Sequence, residues 1–253
     1  MATVIAAATG RNARAARRGF YVGLALLIAA IIAAGFSRSF YGTFVGGVAH
    51  PWIIHVHAGL YVGWLVLLIA QAALAARGRI ALHRRLGNFG IAYGVLVFLL
   101  GLVVAVAMPV INVRAGLWNS ARAETFLAIP LVDMLLYGGL FAAAIACRRR
   151  PEIHKRLIVL AAVAIMFAAV NRALVNAGLL AGNAAAFTGT VPQLALWYSP
   201  VLVAMAHDLV TRRSIHPVYW IGAFAMAISL LRLPYSQTEQ WHGVARRVLA
   251  PFM

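Results

Sequence analysis

Seven runs of apolar residues, at or close to the length needed to cross a bilayer, divide this chain and leave it no soluble fold. They cover residues 20–36, 51–76, 86–108, 125–146, 157–175, 193–210 and 216–231, the last being the shortest. A spanning helix needs roughly 20 mainly apolar residues, within a range of about 17 to 25. The runs are continuously apolar rather than alternating, so they read as helices and not as barrel strands. With 64% hydrophobic and 11% charged residues in 253, there is too little polar surface to coat a soluble globule. The expected fold is all-α: a basic segment over 1–19, a seven-helix transmembrane domain over 20–233, and a tail over 234–253.

A net charge of +17 would point a soluble domain at nucleic acid, but these charges flank apolar runs, where they set topology. No nucleic-acid site is read. Fifteen of the 22 Lys and Arg fall before the first run and in the turns at 77–85, 148–156 and 212–213. Those segments are expected in the cytoplasm, with the N-terminus inside, the C-terminus outside and the chain in a bacterial inner membrane. The first run is longer than a secretory signal core and reads as an uncleaved anchor. In the tail, Trp241, Val244, Val248, Leu249 and Phe252 share one helical face while His242, Arg246 and Arg247 lie mostly away from it. That pattern suits a helix on the outer interface; a frayed tail is the competing reading. The single Cys147 excludes a disulfide framework and a cysteine metal cluster.

Ionisable groups within the runs mark the candidate site, since each costs several kcal/mol unless it pairs or faces a cavity. At about 1.5 Å per residue, His57 and Asp133 fall roughly 9 and 12 Å below the outer ends of their runs. Arg172 falls about 8 Å from the outer edge on the same reckoning. The expected arrangement is an outer-half ligand pocket of His57, Asp133 and Arg172, with Arg172 paired to Asp133 and with His55, Asn171 and Tyr198 nearby. Asn176 belongs to the same region. His55 and His57 lie about 200 degrees apart on a helix, so one helix cannot chelate a metal with both. His50, His57, Trp64 and Gln71 recur every seven residues and form a polar stripe turned toward the bundle. His55 shares a face with Gly59 and Gly63, and the third run carries Gly87, Gly90, Gly94 and Gly101, both patterns of close helix packing.

The cytoplasmic turns repeat a motif, arginines followed by a histidine opening the next helix: His83-Arg-Arg-Leu, His154-Lys-Arg-Leu and His216-Pro. One N-terminal helix followed by three parallel hairpins with cytoplasmic turns is the simplest architecture. His83, His154 and His216 are expected to snorkel to headgroups, because neighbouring guanidinium groups repel a bare cation. His207-Asp208 precedes Arg212, which suggests an i, i+4 pair of Asp208 with Arg212.

His55-Val-His57-Ala-Gly, His83-Arg-Arg-Leu-Gly, Asp133-Met-Leu-Leu, Pro151-Glu-Ile-His154-Lys-Arg-Leu and the closing Arg-x-x-x-His216-Pro together resemble a family of bacterial multi-pass inner-membrane proteins. The resemblance covers about residues 20–233 and implies the seven-helix fold; the family carries no established activity. Ala58 stands where the family pattern has glycine, which removes close backbone approach at that point.

Three functions suit these residues. One is binding or moving a small anionic or amphipathic ligand with proton linkage, Arg172 holding the anion and His57 and Asp133 exchanging a proton. A second is a haem- or transition-metal-binding redox protein, with His57, His55 and Asp133 as candidate ligands. The third is a structural, assembly or lipid-organising role, in which the polar cluster serves only to lock the bundle. The glycine-rich faces suit packing within one bundle or between protomers. HExxH, GxSxG, P-loop and CxxC signatures are absent from the chain, so no reaction is assigned.

Overall fold

The computed structural model describes residues 19–39, 50–180 and 189–253, so the expected basic segment lies outside the described residues apart from Gly19. Helices α1 (Gly19–Ser39), α2 (Trp52–Ala76), α3 (Ile80–Arg114) and α4 (Ser120–Ala146) are each long and apolar enough to cross a membrane. Next come α5 (Pro151–Ala164) and α6 (Phe167–Asn176), which make one span only as a pair bent by 52°. A further span is α7 (Val191–Arg212), and α8 (Pro217–Ser229) continues through a turn into α9 (Arg232–Tyr235) to form the last. A terminal α10 (Glu239–Leu249) follows. Every regular element among the described residues is helical, as an all-α bundle requires.

The apolar surface points outward as well as inward. Only 17% of the most apolar window of α2 and 33% of that of α3 is buried within the protein. Val62, Val66, Leu99, Val103 and Phe224 stand exposed. Such a surface fits lipid, not water, and makes this a multi-pass membrane protein. Inside, α4 packs against α3, α5, α8, α9 and α10. Trp197, Leu160, Phe167, Val201 and Tyr219 fill the main core.

The fifth span is not the straight helix expected over 157–175. It breaks at Ile165 and Met166, where the Trp197 indole of α7 donates to the Val163 carbonyl at 2.8 Å. A side-chain donor inserted beside the helical ladder is a recognised cause of a kink. The bend lays α6 along the far end of α1. Asn176 Nδ2 donates to the Ala34 and Gly35 carbonyls, each at 3.1 Å, and Arg38 Nη2 donates to Asn176 O at 2.8 Å. Gly35 packs directly on the Ala169 backbone, leaving no room for a Cβ.

The glycine faces pack differently from the expectation of touching backbones. Gly94 receives the Phe141 ring, and Gly101 receives Met134 and the Tyr61 hydroxyl. On α2, Gly59 meets open space while Gly63 accommodates the Tyr93 hydroxyl of α3, so the His55 face packs closely against a neighbouring helix at Gly63 and not at Gly59. The tail is a docked helix rather than a frayed end. Thr238 caps α10, Ala245 and Leu249 are buried, and Trp241 Nε1 donates to the Glu124 carbonyl of α4 at 2.7 Å.

Gly35→Val drives a branched side chain into the Ala169 backbone and is expected to cost about 1–3 kcal/mol, the usual range for overpacking. Gly59→Val, facing open space, is the control. Thermal unfolding in detergent should show a lowered midpoint for the first variant and little change for the second.

Candidate functional site

The polar residues gather at two levels of the bundle. Away from the basic turns, the His57 ring lies tilted against Tyr61 one helical turn later, ring centroids 4.1 Å apart, and its Nδ1 is buried with no hydrogen-bond partner. Tyr61 donates to Val97 O at 3.3 Å and contacts Met134 Sδ at 3.4 Å, next to Asp133. Asp133 does not pair with Arg172. Its partner is Arg232, whose Nη2 lies 2.9 Å from Asp133 Oδ1, with both side chains almost fully buried. The charges meet without aligning as a hydrogen bond, while Arg232 Nη1 donates to Ser229 O and Oγ, each at 2.8 Å. Phe167 and Trp197 cover the guanidinium at 4.9 and 5.7 Å.

The bend accompanies the exchange of partners. With the span broken, Arg172 lies against α1, over the Phe36 ring at 4.9 Å and toward Ser39 Oγ at 3.2 Å. Arg172 is exposed there. His55 is also exposed and faces His50, not His57. Asn171 is buried and accepts from Gln193 Nε2 at 2.8 Å, and the Tyr198 hydroxyl donates to the Ala223 carbonyl at 3.1 Å. The polar groups of those last two are therefore already engaged in holding helices together. His55, His57 and Asp133 do not assemble as metal ligands, and among the described residues no three His, Cys, Asp or Glu side chains do.

At the basic end, Asp208 pairs with Arg156 instead of Arg212. Arg156 Nε donates to Asp208 Oδ2 at 3.0 Å and Nη2 binds Oδ1, a forked contact with both side chains 1% exposed. Arg212 reaches Glu152 at 2.8 Å, and Arg156 Nη1 also reaches Glu152, at 2.7 Å. One network thus ties α5 to α7. His207 stacks on Phe20 of α1 with centroids 3.6 Å apart.

The turn histidines do not snorkel. His83 Nδ1 lies 3.2 Å from the Gln71 carbonyl and His154 Nδ1 lies 2.8 Å from the Ala144 carbonyl, each strapping its helix to the one before. A carbonyl only accepts, so Nδ1 carries the proton and Nε2 of each neutral ring keeps its lone pair. His216 is used in the opposite sense: its Nδ1 accepts from Val218 N–H at 3.2 Å. Burial and the nearby Arg156 and Arg212 hold the His216 pKa below its ordinary value, in keeping with a neutral acceptor.

Between α1, α2, α3, α4 and α5 lies a cavity of about 360 Å³ that runs from the Trp64 and Phe141 rings to His83, His154 and Lys155 at the basic end. Its walls are mainly apolar. Two of its lining residues, Trp64 and Gln71, have a polar atom, Nε1 and Oε1, that is buried without a hydrogen-bond partner. They belong to the heptad stripe of α2, which does face the bundle. Sequence reasoning noted that stripe and the turn histidines separately; Tyr21 of α1 and Lys155, also at the cavity, it did not single out. No family model, curated protein or solved structure matches this chain.

Asp133→Asn should cost about 3–5 kcal/mol by leaving Arg232 buried and uncompensated. Removing both charges in Asp133→Asn/Arg232→Met should recover a large part of that loss. A double-mutant cycle read from thermal midpoints in one detergent measures the coupling.

Proposed function

We propose that this protein binds a small amphipathic molecule in the cavity between α1 and α5, with the apolar body toward Trp64 and the polar group among Gln71, His83, His154 and Lys155. The observation that carries this reading is an otherwise apolar cavity whose lining residues Trp64 and Gln71 each keep a buried polar atom, Nε1 and Oε1, without a hydrogen-bond partner. An unsatisfied buried polar group costs about 1–3 kcal/mol, a cost that a bound polar partner relieves. The cavity volume of about 360 Å³ falls within the usual range for small-molecule sites. Lys155 at its basic end pairs with Glu152 at 2.6 Å, and His83, His154 and Gln71 supply the other polar groups for a head group there. The outer group is a weaker candidate for the ligand, because Asp133 is neutralised by Arg232 and Arg172 faces α1; the unpartnered Nδ1 of His57 is what still recommends it.

The basic end is assigned to the cytoplasm of a bacterial inner membrane, which puts the ligand's head group on the inner side. A cysteine placed at Arg149 in a Cys147→Ser background should resist a membrane-impermeant maleimide in intact cells and react once they are opened. Reaction in intact cells reverses the orientation.

Gln71→Leu removes an orphaned acceptor and should raise the thermal midpoint of the ligand-free protein while weakening binding several-fold. The probe is a medium-chain carboxylic acid carrying a diazirine, photolysed in nanodiscs and mapped by mass spectrometry. Label concentrated on the inner halves of α2, α3 and α5, and reduced by the cavity-filling Ala72→Leu, supports the reading. Label spread over the lipid faces at Val62, Val66 and Leu99 defeats it.

A further inference from the structure

We infer that the head group taken by this cavity is a neutral hydroxyl, recognised by the imidazole of His83 and the side-chain amide of Gln71. The inference rests on the proposed ligand-binding reading and names its ligand class, a single-chain amphiphile with an alcohol head. What carries it is the set of donors and acceptors left open at the basic end. Nδ1 of His83 lies 3.2 Å from the Gln71 carbonyl, so it holds the proton of the neutral ring and Nε2 offers only a lone pair. His154, on another wall of the same cavity, is held in the same way by the Ala144 carbonyl at 2.8 Å. Among the described residues no hydrogen bond engages either Nε2. That backbone contact also sets Gln71 next to His83, and the Gln71 amide nitrogen lies beside Gly87, one turn beyond His83 on α3.

Hydrogen-bond valence decides which head fits. A lone pair on imidazole asks for a donor, which an ether, a ketone or a carboxylate lacks. An ammonium donates but meets the positive field of Arg84, Arg85 and Arg150 in the adjoining turns. A hydroxyl is neutral, donates once and accepts as well, so it can give its proton to His83 Nε2 and take one from the Gln71 amide. The other polar groups at this end are already engaged. Lys155 Nζ donates to Glu152 at 2.6 Å and lies over the Tyr21 ring at 5.0 Å, and the Tyr21 hydroxyl is 3.4 Å from that of Tyr219. Trp64, seven residues and about 10 Å along α2 from Gln71, lies too far along to act on the head. A volume of about 360 Å³ is near the low end for small-molecule sites and suits one chain rather than the two of a bilayer lipid.

The test compares three diazirine probes of one chain length on the full chain in nanodiscs: the alcohol, its methyl ether and the carboxylic acid. The alcohol should label the inner halves of α2 and α3 at a concentration about two- to ten-fold below that needed by the ether or the acid, the worth of one net hydrogen bond. His83→Leu should bring alcohol and ether together while leaving labelling by the ether unchanged. Nitrogen NMR of protein carrying labelled histidine should show His83 with its proton on Nδ1, and an Nε2 signal that the alcohol moves and the ether does not. Should the leucine variant not fold, the alcohol-to-ether ratio and the tautomer of the wild-type chain still decide the matter. Equal labelling by alcohol and ether, stronger labelling by the acid than by the alcohol, or a proton on Nε2 of His83 overturns the hydroxyl proposal. If any of these is found while the probes still label the cavity walls, the amphiphile reading stands without it. If no probe labels those walls, both fall.

Discussion

A guanidinium group inside hydrocarbon must find a counter-charge and hydrogen-bond acceptors, and that requirement organises both ends of this bundle. Arg156 meets it through Asp208 and Glu152, and Arg232 through Asp133, Ser229 and two aromatic faces. Each pair joins helices far apart in sequence: α5 to α7 at the basic end, and α4 to α9 deeper in the bundle. The apolar surfaces that surround them are also content against lipid, so they specify helix partners only weakly. The ion pairs supply a register that apolar contact alone would leave loose. Because Asp208 also accepts from the His216 backbone at 3.2 Å, the first pair fixes the turn into α8 as well.

The spans were legible from hydropathy because a bilayer-crossing helix is a one-dimensional signal: length and composition suffice. Pair identities were not legible in the same way. Asp208 and Arg212 sit at the spacing of a helical pair, yet the fully buried Arg156 offers a forked contact that an exposed Arg212 cannot match. Asp133 and Arg172 were joined on depth counted along straight helices. That count fails at Val163, where a tryptophan thirty-four residues later reaches the carbonyl and the span turns by 52°. Nothing within α5 or α6 announces the break; its cause lies on α7. Arg232 lies just past the last apolar run, which ends at residue 231, so hydropathy does not mark it as buried, yet the turn into α9 buries it.

The heptad stripe on α2 shows a different kind of partial legibility. His57, Trp64 and Gln71 do face inward, as their spacing implies, but periodicity fixes a face and says nothing about which level of it opens into a cavity. At the level of His57 the Tyr61 ring closes the space. Around Trp64 and Gln71 the cavity stays open, lined there by Gly87, Gly90, Leu67 and the alanines of α2. The site therefore lies at the opposite end of the stripe from the intramembrane charges that first drew attention.

The repeat carries a chemical asymmetry that its motif hides. A histidine opening a helix after a run of arginines has two ring nitrogens, and which one is committed decides what the residue offers. In the first two copies the preceding helix supplies a carbonyl ten or twelve residues back, so Nδ1 donates and Nε2 of a ring at the cavity keeps its lone pair. In the third copy Pro217 follows at once, Nδ1 turns to the Val218 amide, and the ring becomes a cap. Proline cannot supply an amide hydrogen, which directs the histidine one residue further and away from the preceding helix. The same motif thus yields two acceptors at a shared cavity and one helix cap, a division set by a single residue after the histidine.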